Sequence, residues 1–351
     1  MLRERGNVNH DSLRGMQMTK SVALVLGSGG ARGYAHIGVI EEIERRGYQI
    51  ECVAGCSMGA VVGGIYAAGA LDAYRDWVSG LDYLDVLRLL DFGFGHLGAI
   101  RGERVFGRIR EILGEVDIEQ LRIPFTAVAS DLTNQLEVWF QQGCLHQAMR
   151  ASAAIPSVFA PVRQGSRVLV DGGLLNPLPI NPVVSAHCDL IMAVNLNGES
   201  NGYTLPVVAR PAPIRQQLEG WMEALRLRNP FNGQGQGQEE EEGEKAQKLV
   251  YHAQDSSPVE AVESRNEDER KPVRNDVHLG PASMLELVHQ SFETMQASLT
   301  RYKIAGYPPD VVFEVPKRLC RFFEFQRAPE LIELGRMVAS DTLDRFEQRG
   351  H

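Results

Sequence analysis

The sequence has no apolar run approaching the roughly 20 residues that a membrane-spanning helix requires. Behind Arg3, Arg5 and Arg14, the first apolar run, Val22 to Leu26, is too short for the core of a secretory leader. A cytoplasmic protein is expected, with transient contact at the inner face of a membrane as the alternative. Cysteine is scarce and unpatterned. Cys52, Cys56, Cys144, Cys188 and Cys320 form no CxxC pair and join no Cys/His cluster, which argues against a disulfide framework or a zinc site. Basic charge is in deficit. A net charge of −9 and a pI near 5.6 leave no surplus of Lys and Arg for nucleic-acid phosphates.

What the chain does have is length, glycine and alternation. Its 351 residues are enough for a large core, and many of its 35 glycines fall in the first 110 positions. From Lys20 to about Leu196, strand-like runs alternate with helix-like ones, the pattern of a mainly parallel sheet flanked by helices. SVALVL at 21–26 reads as a buried strand. A helix follows over 35–46, then a strand at 50–54 and a small-residue helix at 60–70. Residues 71–89 and 104–113 read as helical, and 91–102 as a glycine-rich loop. Further strands are expected at 125–130, 136–140, 168–170, 190–195 and 311–315, and a last helix near 329–347. Residues 229–275, with a Gly/Gln stretch and the acidic run from Glu239 to Glu244, hold too few apolar positions to offset the entropy of ordering. The expected organisation is a mobile tail over 1–19, a catalytic domain over 20–228, a disordered insert over 229–275 and a C-terminal part over 276–351. In that last part, Met284, Leu287, Val288, Phe292, Met295 and Leu299 form an apolar helical stripe.

Chemistry is first suggested by Gly55-Cys56-Ser57-Met58-Gly59. This G-x-S-x-G follows an apolar strand and opens a helix, the setting that stands a serine hydroxyl on a sharp turn. Gly55 and Gly59 leave room for that turn, and Cys56 reads as a small packing residue. Another glycine cluster, Gly27-Ser28-Gly29-Gly30-Ala31-Arg32-Gly33, follows the first strand. A dinucleotide fingerprint starting at Gly27 would need glycine where Arg32 stands, and no Gly-Lys-Ser/Thr follows for a phosphate loop. Backbone amides presented to an oxyanion remain, with Arg32 orienting the loop or binding a phosphate headgroup. The serine needs a base. None of the nine histidines sits in a motif that marks it, and His36 reads as a packing residue. Asp171, ahead of Gly172 and Gly173, ends a short strand at a tight turn and can serve directly if its pKa is tuned toward working pH.

Taken together, Gly29 to Gly33, Gly55 to Gly59, Asp171 to Gly173 and the segment Ala151 to Phe159 resemble the motif set of the patatin-like phospholipases. The C-terminal sequences SFETMQ and FFEFQRAPELIELG are similar to bacterial members near the neuropathy-target-esterase branch. The resemblance implies a three-layer α/β fold and a Ser57–Asp171 dyad without metal or cofactor. It also implies an oxyanion hole at Gly29 and Gly30, and a lipid ester as substrate. Ser28 departs from the pattern, since many members carry glycine there. Two alternatives stay open: an α/β-hydrolase with a Ser-His-Asp triad, and a non-catalytic binding protein on the same scaffold. A loop from Leu81 to Ile100, with Phe92 and Phe94, is expected to line an acyl groove or touch a membrane.

Overall fold

The computed structural model describes residues 20–89, 101–156, 158–199, 202–208 and 284–349. The expected tail over 1–19, the insert over 229–275, and Phe92 and Phe94 lie outside the described residues. The strands are β1 (Ser21–Leu26), β2 (Gln49–Cys56), β3 (Phe125–Asp131), β4 (Leu136–Phe140), β5 (Val162–Gln164), β6 (Arg167–Asp171), β7 (Leu190–Gly198) and β8 (Val311–Pro316). They form one sheet in the order β5-β6-β3-β2-β1-β7-β8, with β4 pairing on β3. The run from β3 through β2, β1 and β7 to β8 is parallel, while β4, β5 and β6 join antiparallel. The helices are α1 (Ala35–Arg45), α2 (Met58–Ala67), α3 (Leu71–Ser79), α4 (Tyr83–Leu89), α5 (Glu103–Leu113), α6 (Leu145–Ser152), α7 (Met284–Gly306) and α8 (Ala328–Glu347).

β1 shows why the sheet lies in the middle of three layers. Successive side chains alternate in direction along a strand. Val22, Leu24 and Leu26 join the large core with α1, α2 and α8, whereas Ala23 and Val25 join a second cluster with Leu178, Ile180, Val183 and Ile304. The second face is built from small side chains (Ala23, Ala54, Ala193), so chain from 178 to 183 and the end of α7 pack close against it. On the first face α1 and α8 cross at their glycines. A Cβ on Gly38 would lie 1.9 Å from the Ile332 carbonyl, and one on Gly335 would lie 2.1 Å from that of Ala35.

The region expected to be helical over 71–89 is broken at Gly80 into α3 and α4. Two elements are additional to the expected ones, β5 and α6, both short. Among the described residues the apolar stripe on α7 is only partly covered, with Phe292 and Leu299 half-buried. Gln296 and Thr300 are buried, while Leu287 and Val288 are 49% and 44% exposed. The reason is where the helix lies: α7 packs on β7 and on the turn Gly172–Leu174, and its Ile304 packs against the second cluster.

Candidate active site

Ser57 is the single residue between the end of β2 and the first turn of α2. Its φ of 56° and ψ of −122° lie where an L-residue is strained, one of two non-glycine positions with positive φ among the described residues. The turn is so tight that a Cβ on Gly55 would meet the Gly59 carbonyl at 2.3 Å, and one on Gly59 would meet the Leu26 carbonyl at 2.1 Å. Two hydrogen bonds fix the strained residue from behind. The Ser57 amide donates to Ser152 Oγ at 2.9 Å, and that hydroxyl donates to the Val128 carbonyl at 2.6 Å.

Asp171 arrives by strand register. β3 uses one edge for β4, so its other edge serves both β2 and β6: Val128 pairs with Cys56 and Ala129 with Asp171. The last residue of β2 and the last of β6 therefore sit against adjacent residues of one strand. The result is a hydrogen bond from Ser57 Oγ to Asp171 Oδ2 at 2.5 Å, and the other carboxylate oxygen accepts from the Gly173 amide at 2.7 Å. The Asp171 amide donates to the Ala154 carbonyl at 2.9 Å. Gly172 fits because a Cβ there would meet the Val128 carbonyl at 2.1 Å and Cys56 Sγ at 3.0 Å. Asp171 is 1% exposed. Burial raises its pKa to about 7, and the bonds from Ser57 and Gly173 offset only part of that rise. Burial likewise pushes the Cys56 thiol well above its ordinary value, with the Asp171 and Glu137 carboxylates adding to the effect. Cys56 is a neutral packing group.

Within the glycine loop the amides divide into two sets. Those of Gly27, Ser28 and Ala31 donate to the carbonyls of Val194, Pro177 and Phe322 at 3.1, 2.9 and 2.9 Å. No acceptor for the Gly29 or Gly30 amide occurs among the described residues. Gly30, at φ 56°, lies against the Phe322 ring, and Gly33 faces Met58, the residue after Ser57. Arg32 is 3% exposed; its guanidinium donates to Glu293 at 2.7 Å and to the Lys317 carbonyl at 3.2 Å. These bonds tie the glycine loop to Glu293 and to the chain at Lys317.

The histidines within reach of the fold serve elsewhere. His36, buried and with its pKa lowered to about 4 by desolvation, bonds the Gly27 carbonyl at 2.8 Å, and His146 bonds that of Gly114 at 2.7 Å. No described histidine hydrogen-bonds Ser57 or Asp171. Among the described residues no three His, Cys, Asp or Glu side chains gather as a metal site. Likewise, no described helix is long and apolar enough to cross a membrane.

Ser57 and Gly30 open on a narrow cavity of about 90 Å³ lined almost wholly by apolar and aromatic groups, among them Tyr34, Val61, Trp77, Leu81 and Phe159. Val86 and Leu89 of α4 complete one wall. A wider depression of about 460 Å³ beneath β5 and β6 carries Arg101, Arg110, Arg150 and Arg163, but neither Ser57 nor Asp171.

Comparison with known proteins gives the family. A family model described as patatin-like phospholipase matches residues 24–184. An NTE family protein of Mycobacterium tuberculosis is 41% identical over 337 residues, which span 93% of this chain and 92% of that protein. This chain belongs to the patatin-like phospholipase family. A second NTE family protein of M. tuberculosis is 34% identical over 216 residues, 59% of this chain and 36% of the relative. Lysophospholipase NTE1 of Candida glabrata is 26% identical over 222 residues, which make up 61% of this chain and 12% of that enzyme. Ser152, Glu293 and Gln296 are the residues around the site that sequence reasoning missed. Each lies inside a segment that carries the family resemblance, Ser152 in Ala151 to Phe159 and Glu293 and Gln296 in SFETMQ, but nothing in either segment marks the contact that the residue makes.

Proposed function

We propose that this patatin-like protein is a serine acyl hydrolase that cleaves carboxyl esters of phospholipids or lysophospholipids through a Ser57–Asp171 dyad and an acyl-enzyme. The observation that carries this reading is the 2.5 Å bond from a strained, buried serine to a buried carboxylate whose pKa stands near 7. A carboxylate of ordinary pKa is a weak base, and one held near working pH both accepts a proton readily and returns it.

In the acylation step Asp171 Oδ2 takes the proton as Ser57 Oγ bonds to the ester carbonyl carbon. The carbonyl π pair moves to oxygen, which the Gly29 and Gly30 amides receive. Collapse of the tetrahedral species breaks the bond to the alkoxy oxygen, which leaves with the proton from Asp171. Water, deprotonated by the same carboxylate, then attacks the acyl-enzyme carbonyl; collapse of this second tetrahedral species breaks the bond to Ser57 Oγ, which takes the proton back from Asp171 as the carboxylic acid leaves. The uncommitted Gly29 and Gly30 amides support this assignment, because the neighbouring loop amides are already bonded. The apolar cavity beside Ser57 supports an acyl chain as the group held there, with Leu81, Val86 and Leu89 from the expected acyl-groove segment on its wall. The relative named as a lysophospholipase supports the substrate class.

The test is hydrolysis of p-nitrophenyl esters and of lysophosphatidylcholine by wild type, Ser57→Ala and Asp171→Asn. Both variants are expected to lose turnover by a factor on the order of 10⁴ while remaining folded. Folded wild type without turnover on any of these esters overturns the reading in favour of a binding protein.

A further inference from the structure

The matched family region ends at residue 184, yet the glycine loop and the Asp171 turn are gripped from beyond it. On α7, Glu293 and Gln296 stand three residues apart, on one face of the helix. Glu293 accepts the 2.7 Å bond from Arg32, in the middle of the glycine loop. Gln296, 2% exposed, presses its side-chain amide against Gly173 so closely that a Cβ there would be 2.0 Å from Nε2. Lower on the same helix, Lys303 bonds Glu137 at 2.8 Å, and Glu137 accepts from Asn176 at 2.9 Å. The Asn176 amide donates back to the Gly172 carbonyl at 2.8 Å.

We infer that α7 is a clamp, with Glu293 and Gln296 as positioning residues that hold the oxyanion loop and the general-base turn at a fixed separation. The inference rests on the proposed hydrolase reading for its kinetic consequence and on geometry alone for its structural one. Two features separate this from ordinary packing. The Arg32–Glu293 pair is largely buried, at 3% and 22% side-chain exposure, so it constrains the loop where a surface pair would be loose. The face of α7 turned inward at Gln296 and Thr300 is polar, and Gln296 Oε1 and Thr300 Oγ1 find no partner among the described residues. Apolar side chains would serve packing better there. The polar face lies where α7 meets the Asp171 turn.

The test compares full-length wild type with Glu293→Gln, Glu293→Asp and Gln296→Ala by amide hydrogen exchange and by steady-state kinetics on p-nitrophenyl butyrate. Glu293→Gln is expected to speed exchange in the 29–34 peptide by roughly tenfold while the melting transition stays within a few degrees. Its kcat is expected to fall on the order of tenfold with KM changed less than about twofold, since the loop amides it displaces meet negative charge only in the transition state. Glu293→Asp restores part of both. Gln296→Ala is expected to loosen the 171–176 peptide instead. Wild-type exchange in these peptides overturns the clamp, whatever the kinetics. Faster exchange with unchanged kcat overturns the positioning role. If wild type itself turns over no ester, faster exchange keeps the clamp and the hydrolase reading alone falls.

Discussion

At the residue scale, the account turns on a carboxylate that burial makes basic. Under the proposed dyad activity requires Asp171 ionised, so with its pKa near 7 the acidic limb of kcat/KM should lie near pH 7. Below it, the rate falls about tenfold per pH unit, where an ordinary carboxylate would keep full activity to about pH 5. A pH–rate profile checks this. The same shift has a stability consequence of definite sign. The folded pKa lies above the unfolded one, so the contribution is fully favourable below about pH 4 and is lost as pH rises through 7. Asp171→Asn, which cannot ionise, should therefore gain on wild type between pH 4 and pH 8, by up to ~4 kcal/mol, in urea melts at the two pH values. Ser57 was legible because its motif is local: five consecutive residues and their flanking strand and helix. Asp171 was weaker in sequence, an ordinary-looking Asp-Gly-Gly whose meaning depends on a partner 114 residues away. Ser152 was missed because a serine in a short helix carries no mark of the amide it will hold. Ser152→Ala should cost roughly 1–3 kcal/mol by leaving the Ser57 N–H unpaired in the interior, read from thermal or urea unfolding.

At the scale of elements, the strand–turn–helix at Ser57 followed from glycine placement, and the backbone contacts at Gly55 and Gly59 are its physical counterpart. Gly59→Ala would drive a methyl into the Leu26 carbonyl and Gly55→Ala one into that of Gly59. Either should destabilise by about 3 kcal/mol or more, measurable as a lowered urea midpoint. The shared edge of β3 was not legible, because pairing register depends on what else occupies the strand. The inward face of α7 was misleading for a related reason. Periodicity finds an apolar stripe, but the neighbour decides which face is covered, and the neighbour of Gln296 is the Gly172–Leu174 turn. The wall formed by α3 and α4 yields a specificity prediction. Leu81→Trp narrows the cavity beside Ser57 and should lower kcat/KM for a dodecanoyl ester at least about tenfold more than for a butanoyl ester. Equal losses on both would remove Leu81 from the acyl wall.

At the scale of the molecule, the proposed catalytic residues come from the first half of the chain and much of their support from the end. Arg32 and Ala31 are held by Glu293, Lys317 and Phe322, and α8 crosses α1 through Gly335 and Gly38. Alternation of strand and helix signals made the sheet and its flanking layers legible over residues 20–196. The dependence of the glycine loop on residues 293–322 was not, because nothing local in those sequences names its partner. The central claim, that Asp171 activates Ser57, is tested most directly by fluorophosphonate labelling with the modified peptide located by mass spectrometry. The account predicts a single phosphonyl adduct on Ser57 of the wild type, absent from Ser57→Ala, and formed far more slowly in Asp171→Asn. An adduct on another residue, or folded wild type that takes no label, would contradict it.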